Sequence, residues 1–511
     1  MFNKKMKNKF ITGLLFFVLV LFFSCGSPEE KEPEESILVE IGDLTISVSE
    51  FIRRSEYTVR PPYCKGSHNL DKKIVLNSLI AEKLIAMEAT DTSEILKSER
   101  IQMYLQGLKE QAMRQWLYSK EADEKVQLDT TTILRTVKVA GRKYKLSYVN
   151  FPDSTTAFQL KDKVFKKGRS FKDAYYEMTG ADSLPYREVE WSTQEHNMIL
   201  DSLFTEPLKK NQFVGPIKVT DNEYIFAQVK GWIDRPIIIE KQFNDRWNDV
   251  SDKYRSRKAQ ELYNKFIVKI MKGKDIEFMP DIFYKMADLL GPQYLTTDKQ
   301  KEEMLNNTVW NINEEEVDYS SLNNQIDELK DEPFFRVNDK IYKVKDFIKE
   351  VRVHPLVFRA KNMKRNEFGK QLQFAIMDLI RDKYLTVEAY NRNYDKINVV
   401  QRNVQMWRDN MNYIYYKEKY LHSVLPDSSE ELNYITVLED YLNEYVDSLQ
   451  EKYNDQVKIN IEKYNKIDLT KIDMNVSYNN QPYSRVVPSF PIITTDNKLD
   501  YGAKMNADVV N

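Results

Sequence analysis

Two periodicities alternate along this chain. Between Lys143 and Ile233 short alternating runs, Lys145–Phe151, Val189-Glu190-Trp191, Val214–Val219 and Glu223–Val229, predict four strands. Segments with helical spacing separate them: one closes on Lys167-Gly168, one spans Ser170–Thr179, and one runs through Leu203-Phe204. Outside this stretch helical spacing dominates. Ile74, Leu76, Leu79, Ile80, Leu84 and Met87 form the apolar positions of one long helix. Helices are also predicted near Leu96–Val126, over Ile238–Met271 with a Lys272-Gly273 C-cap, and over Val399–Leu421. After Pro426-Asp427 a capping box, Ser428 with Glu431, starts a helix whose stripe is Leu432, Ile435, Leu438, Leu442, Tyr445 and Leu449. A strand-like Val457–Ile461 follows, and the tail from Val486 is extended and interrupted by Pro488 and Pro491.

One pattern occurs twice. Ile41-Gly42-Asp43 leads through Val48 to Glu50-Phe51-Ile52, and Val337-Asn338-Asp339 leads through Val344 to Asp346-Phe347-Ile348 in the same register. Leu79-Ile80, Lys83 and Glu88-Ala89 then correspond to Leu379-Ile380, Lys383 and Glu388-Ala389, after a small gain in the loop between. The unit is a hairpin with a Gly/Asn-Asp turn, a short helix bearing a core Phe, and a long helix that receives it.

The N-terminus carries Lys4, Lys5, Lys7 and Lys9 before an apolar run from Ile11 to Phe23, a secretory-signal pattern too short to span a bilayer comfortably. Its end, Leu21-Phe22-Phe23-Ser24-Cys25-Gly26, resembles a bacterial lipobox, with Phe22 where Leu is usual, and makes Cys25 the expected lipidation site. Ser27–Ser36, rich in Glu, reads as a solvated tether. It also resembles signals that send some Bacteroidota lipoproteins to the outer face. The expected location is the outer membrane of a Gram-negative envelope, facing the periplasm, with surface exposure as the alternative.

At 511 residues the chain exceeds one core, and a formal net charge of −2 gives no field to hold nucleic acid. With Cys25 acylated, Cys64 is the remaining thiol, so no intrachain disulfide or Cys-based zinc site is expected. The glycines are scattered and form no phosphate loop. No cofactor or metal is expected, and no hydrolase triad is supported.

The order of strands and helices from Lys143 to Ile233 resembles the parvulin-type (PpiC) peptidyl-prolyl isomerase domain. The flanking hairpin–helix units resemble those of the SurA, PpiD and PrsA group of extracytoplasmic chaperones, over most of residues 37–390. The resemblance implies an α+β chain: a mainly helical chaperone module from two hairpin–helix repeats, plus one four-stranded antiparallel sheet with covering helices. The expected divisions are a signal peptide (1–24), acidic tether (25–36), first repeat (37–140), parvulin-like domain (141–235) and helical segment (236–298). A linker (299–332), second repeat (333–425), long helix and strand (426–475) and extended tail (476–511) complete the chain.

Parvulins carry a histidine in the first strand of the sheet and another in the last. The matching positions here read as Tyr148 and Tyr224, and His68, His196, His354 and His422 fall in neither strand. The candidate groove is Tyr148, Trp191, Met198, Leu203, Phe204 and Tyr224, with no residue assigned as catalytic. A phenol with pKa near ~10 stays a neutral donor at pH 7 and cannot replace two imidazoles that share protons. The resemblance therefore implies an ATP-independent chaperone or accessory factor for unfolded or nascent outer-membrane or secreted proteins. One alternative is an active, atypical prolyl isomerase. Another is a fixed lipoprotein subunit of an outer-membrane assembly or secretion machine.

Overall fold

The computed structural model describes residues 36–295 and 323–505, apart from residues 67, 90–92, 361–362, 427–432, 471–473 and 475. The signal-like segment, Cys25, nearly all of the tether, the Ser428–Glu431 capping box and most of the predicted linker lie outside the described residues. The chain is α+β, mainly helical with small sheets. It forms two compact units: Leu117–Lys272 is one, and the residues on either side of it make up the other.

In chain order the flanking unit begins with β1 (Ile37–Ile41), β2 (Leu44–Ser47), α1 (Val48–Glu56), α2 (Asn69–Glu88) and α3 (Glu99–Glu121). The central unit holds α4 (Thr130–Val139), β3 (Arg142–Phe151), α5 (Ser154–Phe165) and α6 (Phe171–Thr179). It continues with β4 (Tyr186–Glu190), α7 (Asn197–Phe204), β5 (Phe213–Thr220), β6 (Glu223–Asp234) and α8 (Glu240–Met271). The flanking unit resumes with β7 (Ile276–Phe278), α9 (Pro280–Tyr294), β8 (Pro333–Val337), β9 (Lys340–Lys343), α10 (Val344–Val353), α11 (Arg365–Asn391) and α12 (Asn398–Val424). A short helix, Tyr434–Val437, passes through a π turn, Leu438–Leu442, into α13 (Asn443–Lys452); β10 (Val457–Ile459) and β11 (Ala503–Lys504) close the chain.

The two hairpins are built by the same local chemistry. A tight hairpin needs positive φ in its turn, which Gly and Asn tolerate best. Gly42 has φ of 56° and Asn338, at the corresponding place, 51°. Helix starts follow directly. Ser47 accepts the Glu50 N–H at 3.0 Å, and the Lys343 N–H is held by Asp346 Oδ2 at 2.9 Å. Phe51 and Phe347 are both buried.

The flanking unit closes on its own C-terminus. β1 lies between β2 and β10, and β10 pairs in parallel with β11, so the sheet order is β11-β10-β1-β2. One core joins Leu38 and Ile41 of β1, Phe51 of α1, Leu76, Ile80 and Leu84 of α2, Leu442 and Val446, and Ile493 of the tail. The sequence predicts α2 from apolar residues at helical spacing, Ile74, Leu76, Leu79, Ile80, Leu84 and Met87. In the structure every residue from Ile74 to Ala86 is buried, Glu82 and Lys83 included. Charged neighbours make this tolerable. Arg54 forms two hydrogen bonds to Glu82, at 2.8 and 2.9 Å, and Lys83 pairs with Asp409 at 2.8 Å and Glu50 at 3.1 Å.

Two further details differ from the sequence reading. Asn323–Leu329, within the segment read as a linker, is helical. Ile461 belongs to a short helix, Ile461–Asn465, because the Asn460 side chain accepts the Lys463 N–H and caps it, ending the strand at Ile459.

The central unit contains a four-stranded sheet of order β4-β3-β6-β5, antiparallel throughout. Alternation gives it two faces. On one, Leu146, Ile225 and Val229 pack with Ile133 and Val137 of α4, Leu200, Leu203 and Phe204 of α7, and Val250 of α8. On the other, Val149, Phe151 and Phe226 pack with Ala157 and Leu160 of α5 and Phe171 and Ala174 of α6.

Candidate functional site

Strand register decides which candidate residues meet. β3 and β6 pair with Tyr148 opposite Ala227 and Phe151 opposite Tyr224. Tyr148 and Tyr224 therefore stand on opposite faces: Tyr148 packs against the α4–α7–α8 side and Tyr224 against the α5–α6 side. The candidate groove includes both tyrosines, and the register removes Tyr224 from the Tyr148 face. Because side chains alternate, a one-residue slip moves a residue to the far face. The β6 residues on the Tyr148 face include Ile225, Ala227 and Val229.

Tyr148 is half-buried at the edge of its face. Its hydroxyl accepts a hydrogen bond from Arg187 Nη1 at 3.3 Å, and the Arg187 guanidinium lies 5.2 Å from the ring centre. Arg187 is in turn paired with Glu195. Burial pushes the Tyr148 phenol up, partly opposed by the Arg187 charge, so it stays protonated at neutral pH.

The other candidates divide between wall and rim. Trp191, just past β4, is buried with its ring 5.7 Å from Phe204 and 6.0 Å from Tyr254 of α8. Leu203 and Phe204 are buried beneath it, whereas Met198, in the first turn of α7, is 48% exposed. Trp191, Leu203, Phe204 and Tyr148 thus share one face, Met198 sits at its rim, and Tyr224 is absent from it.

Two cations that the sequence reading missed border this wall. Lys253 and Arg257, one helical turn apart on α8, lie 4.9 and 5.7 Å from the Trp191 ring centre. Lys253 also donates to the Trp191 carbonyl, and Arg257 Nη1 pairs with Asp201 of α7 at 2.5 Å. Burial lowers the Lys253 ammonium below its ordinary range, with Arg257 adding to the effect. Their spacing on a helix was readable, but their contact with a tryptophan distant in sequence was not.

The four histidines have other settings. His196 Nδ1 accepts the Met198 N–H at 3.3 Å and caps α7. His354 is buried in the flanking unit with Nε2 3.0 Å from Asp382 Oδ2. His68 precedes α2 and His422 lies in the last turn of α12. The Tyr148 face therefore carries no imidazole. What it offers is an enclosed apolar core of Trp191, Leu203 and Phe204 with Met198 exposed at its rim. It is bordered by a phenol and by guanidinium and ammonium groups that are engaged with Glu195, Asp201 and the Trp191 carbonyl. Among the described residues, no cluster of His, Cys, Asp and Glu is arranged to hold a metal ion, and no helix is long and apolar enough to cross a membrane.

No family model matches this chain, and no curated protein does. Among solved structures it is similar to the foldase protein PrsA from Lactococcus lactis, at 13% identity over 46% of this chain and 93% of that one, with a TM-score of 0.18. A score that low carries no argument about fold or function.

Proposed function

We propose that this chain is an ATP-independent chaperone or accessory factor for unfolded or nascent envelope proteins, with a parvulin-like domain that holds extended segments without isomerising them. The observation that carries this reading is the composition of the Tyr148 face. Where the parvulin resemblance calls for paired imidazoles, the face bears Tyr148, Ile225 and Ala227 beside a wall of Trp191, Leu203 and Phe204. Rotation about an X-Pro bond faces a barrier of ~20 kcal/mol. A neutral phenol engaged by Arg187 supplies no proton-sharing pair to order a hydrogen-bond network around the twisting amide. Trp191, Leu203 and Phe204 are themselves buried, so a bound segment would meet this face at its rim, through Met198 and Tyr148.

The antiparallel β4-β3-β6-β5 sheet and the two hairpin–helix units support the same reading, in which the flanking unit forms a helical module for non-native chains. A lipid at Cys25, the acidic tether as a spacer, and attachment to the outer membrane belong to the proposal on the strength of the sequence alone.

The test is a soluble form beginning at Gly26, assayed on a proline-limited refolding substrate beside an active parvulin, and on aggregation of an unfolded outer-membrane protein. The expected result is a background isomerisation rate with suppressed aggregation. A rate comparable to the control would make the domain an atypical isomerase, and failure to suppress aggregation would remove the chaperone reading.

A further inference from the structure

The flanking unit already holds an extended peptide, and that peptide is its own. Residues 488–500 form neither helix nor strand. Backbone polar groups without a ladder must find other partners when buried. Here side chains supply them. Gln111 brackets Tyr483, donating to its carbonyl at 2.7 Å and accepting its N–H at 2.9 Å. Arg53 donates to the Val486 carbonyl at 3.2 Å and Arg54 to the Ser489 carbonyl at 3.0 Å. The Tyr413 and Tyr434 hydroxyls both donate to the Ile492 carbonyl, at 3.0 and 2.8 Å, and Asn443 accepts the Thr495 N–H at 3.1 Å.

Two features make this a reading surface rather than plain packing. Most of these bonds go to the main chain of the segment and do not depend on which side chains it carries, although Asn443 also bonds the Thr494 and Thr495 hydroxyls. They are mostly donors aimed at carbonyls, which suits a segment in which Pro488 and Pro491 supply no N–H. Val487, Phe490 and Ile493 are buried and fall three residues apart, with a proline directly after each of the first two. Val486 and Thr494 are buried beside them, and Val487 packs with Trp407 whereas Phe490 and Ile493 join the core that contains Phe51. The three-residue spacing is the one a polyproline II segment presents to an apolar groove.

The geometry points to a groove for extended, proline-bearing polypeptide whose resident occupant is the chain's own C-terminal segment, which a client displaces. The inference rests on the chaperone reading and names the class of client segment. Such segments carry apolar residues at three-residue spacing, each followed by proline.

Hydrogen exchange on the full chain tests it, with a synthetic peptide carrying two apolar-Pro-x repeats as the probe. Saturating peptide is expected to speed exchange of the Tyr483 and Thr495 amides at least tenfold. Unchanged or slower exchange overturns the inference. A second arm uses Pro488→Ala/Pro491→Ala, which loosens the occupant by freeing its backbone and keeps the core side chains Phe490 and Ile493 in place. This variant is expected to bind the peptide at least tenfold more tightly than the parent, and equal or weaker binding counts against the inference. If it fails to fold by far-UV circular dichroism, the exchange arm on the unaltered chain decides. Aggregation of an unfolded outer-membrane protein is measured alongside. Suppression with unaltered tail exchange overturns the groove inference alone, and absence of both suppression and peptide binding overturns the chaperone reading as well.

Discussion

Substituting Glu82 with Gln, or Arg54 with Met, is expected to destabilise the flanking unit severely. Both side chains are wholly buried, and the pair makes two charge-assisted hydrogen bonds, at 2.8 and 2.9 Å. Each partner has one further bond: Asn410 donates to Glu82 Oε1 at 2.6 Å, and Arg54 donates to the Ser489 carbonyl. Removing one charge of such a pair leaves the other buried and uncompensated, at a cost of about 3–5 kcal/mol. Three kcal/mol already changes the folding equilibrium by roughly two orders of magnitude. The double substitution removes both charges, and the glutamine introduced at position 82 can still accept from Asn410. What remains is two buried groups, its amide NH2 and the Ser489 carbonyl, without a partner at about 1–3 kcal/mol each. It should therefore cost about as much as either single change and far less than their sum, giving a coupling energy of at least ~2 kcal/mol. Urea unfolding followed by far-UV circular dichroism, combined with exchange protection of the α2 amides, reads this for the flanking unit. Singles costing less than about 1 kcal/mol, or a double equal to the sum of the singles, would refute the reasoning.

Other predictions follow from the same kind of geometry. Burial pushes the Asp382 carboxyl up, but the His354 hydrogen bond and the Arg114 and Arg381 charges outweigh it and hold the group well below the usual carboxylate range. A depressed folded value contributes stability that is full above the unfolded pKa of about 4 and is lost as pH falls through the folded one. The urea midpoint of Asp382→Asn should therefore trail the parent's by a constant gap from pH 7 to about 5 that closes in more acid solution; a gap unchanged at pH 3 would contradict this. The β3–β6 register predicts that Tyr148→His/Ala227→His, directly opposed, gains thermal stability with Ni²⁺, about 2.7 kcal/mol at a hundredfold excess over Kd, while Tyr148→His/Tyr224→His gains none; the reverse pattern in a melting assay would show a different register. His196→Ala should cost up to about 1 kcal/mol through loss of the α7 cap, with His196→Asp restoring most of it. A change in isomerisation rate on His196→Ala, without a change in stability, would assign that histidine a role beyond capping.

The sequence determined the elements. Period-two runs located the strands from Lys145 to Val229, and Asn and Gly turns with Ser and Asp caps located both hairpins, because these signals are local and each residue's own backbone preference carries them. It also determined a negative, since no histidine occupies β3 or β6. Tertiary structure decided the rest. Only strand pairing shows that Tyr224 turns away from Tyr148 and that Ile225 takes its place, because a one-residue difference in register leaves the alternating pattern intact and reverses the face. Only packing shows that α2 is enclosed on all sides. Its charges look solvent-facing until Arg54, Asp409 and Asn410 arrive from distant parts of the chain. The same holds for Lys253 and Arg257 against Trp191, and for the tail, whose extended, proline-broken sequence gave no hint of Gln111, Arg54 or Tyr413 waiting for its carbonyls. Local periodicity constrains each residue's conformation and one face of each element. Which buried partner satisfies a charge or a carbonyl depends on residues hundreds of positions away, so it is fixed only when the chain folds.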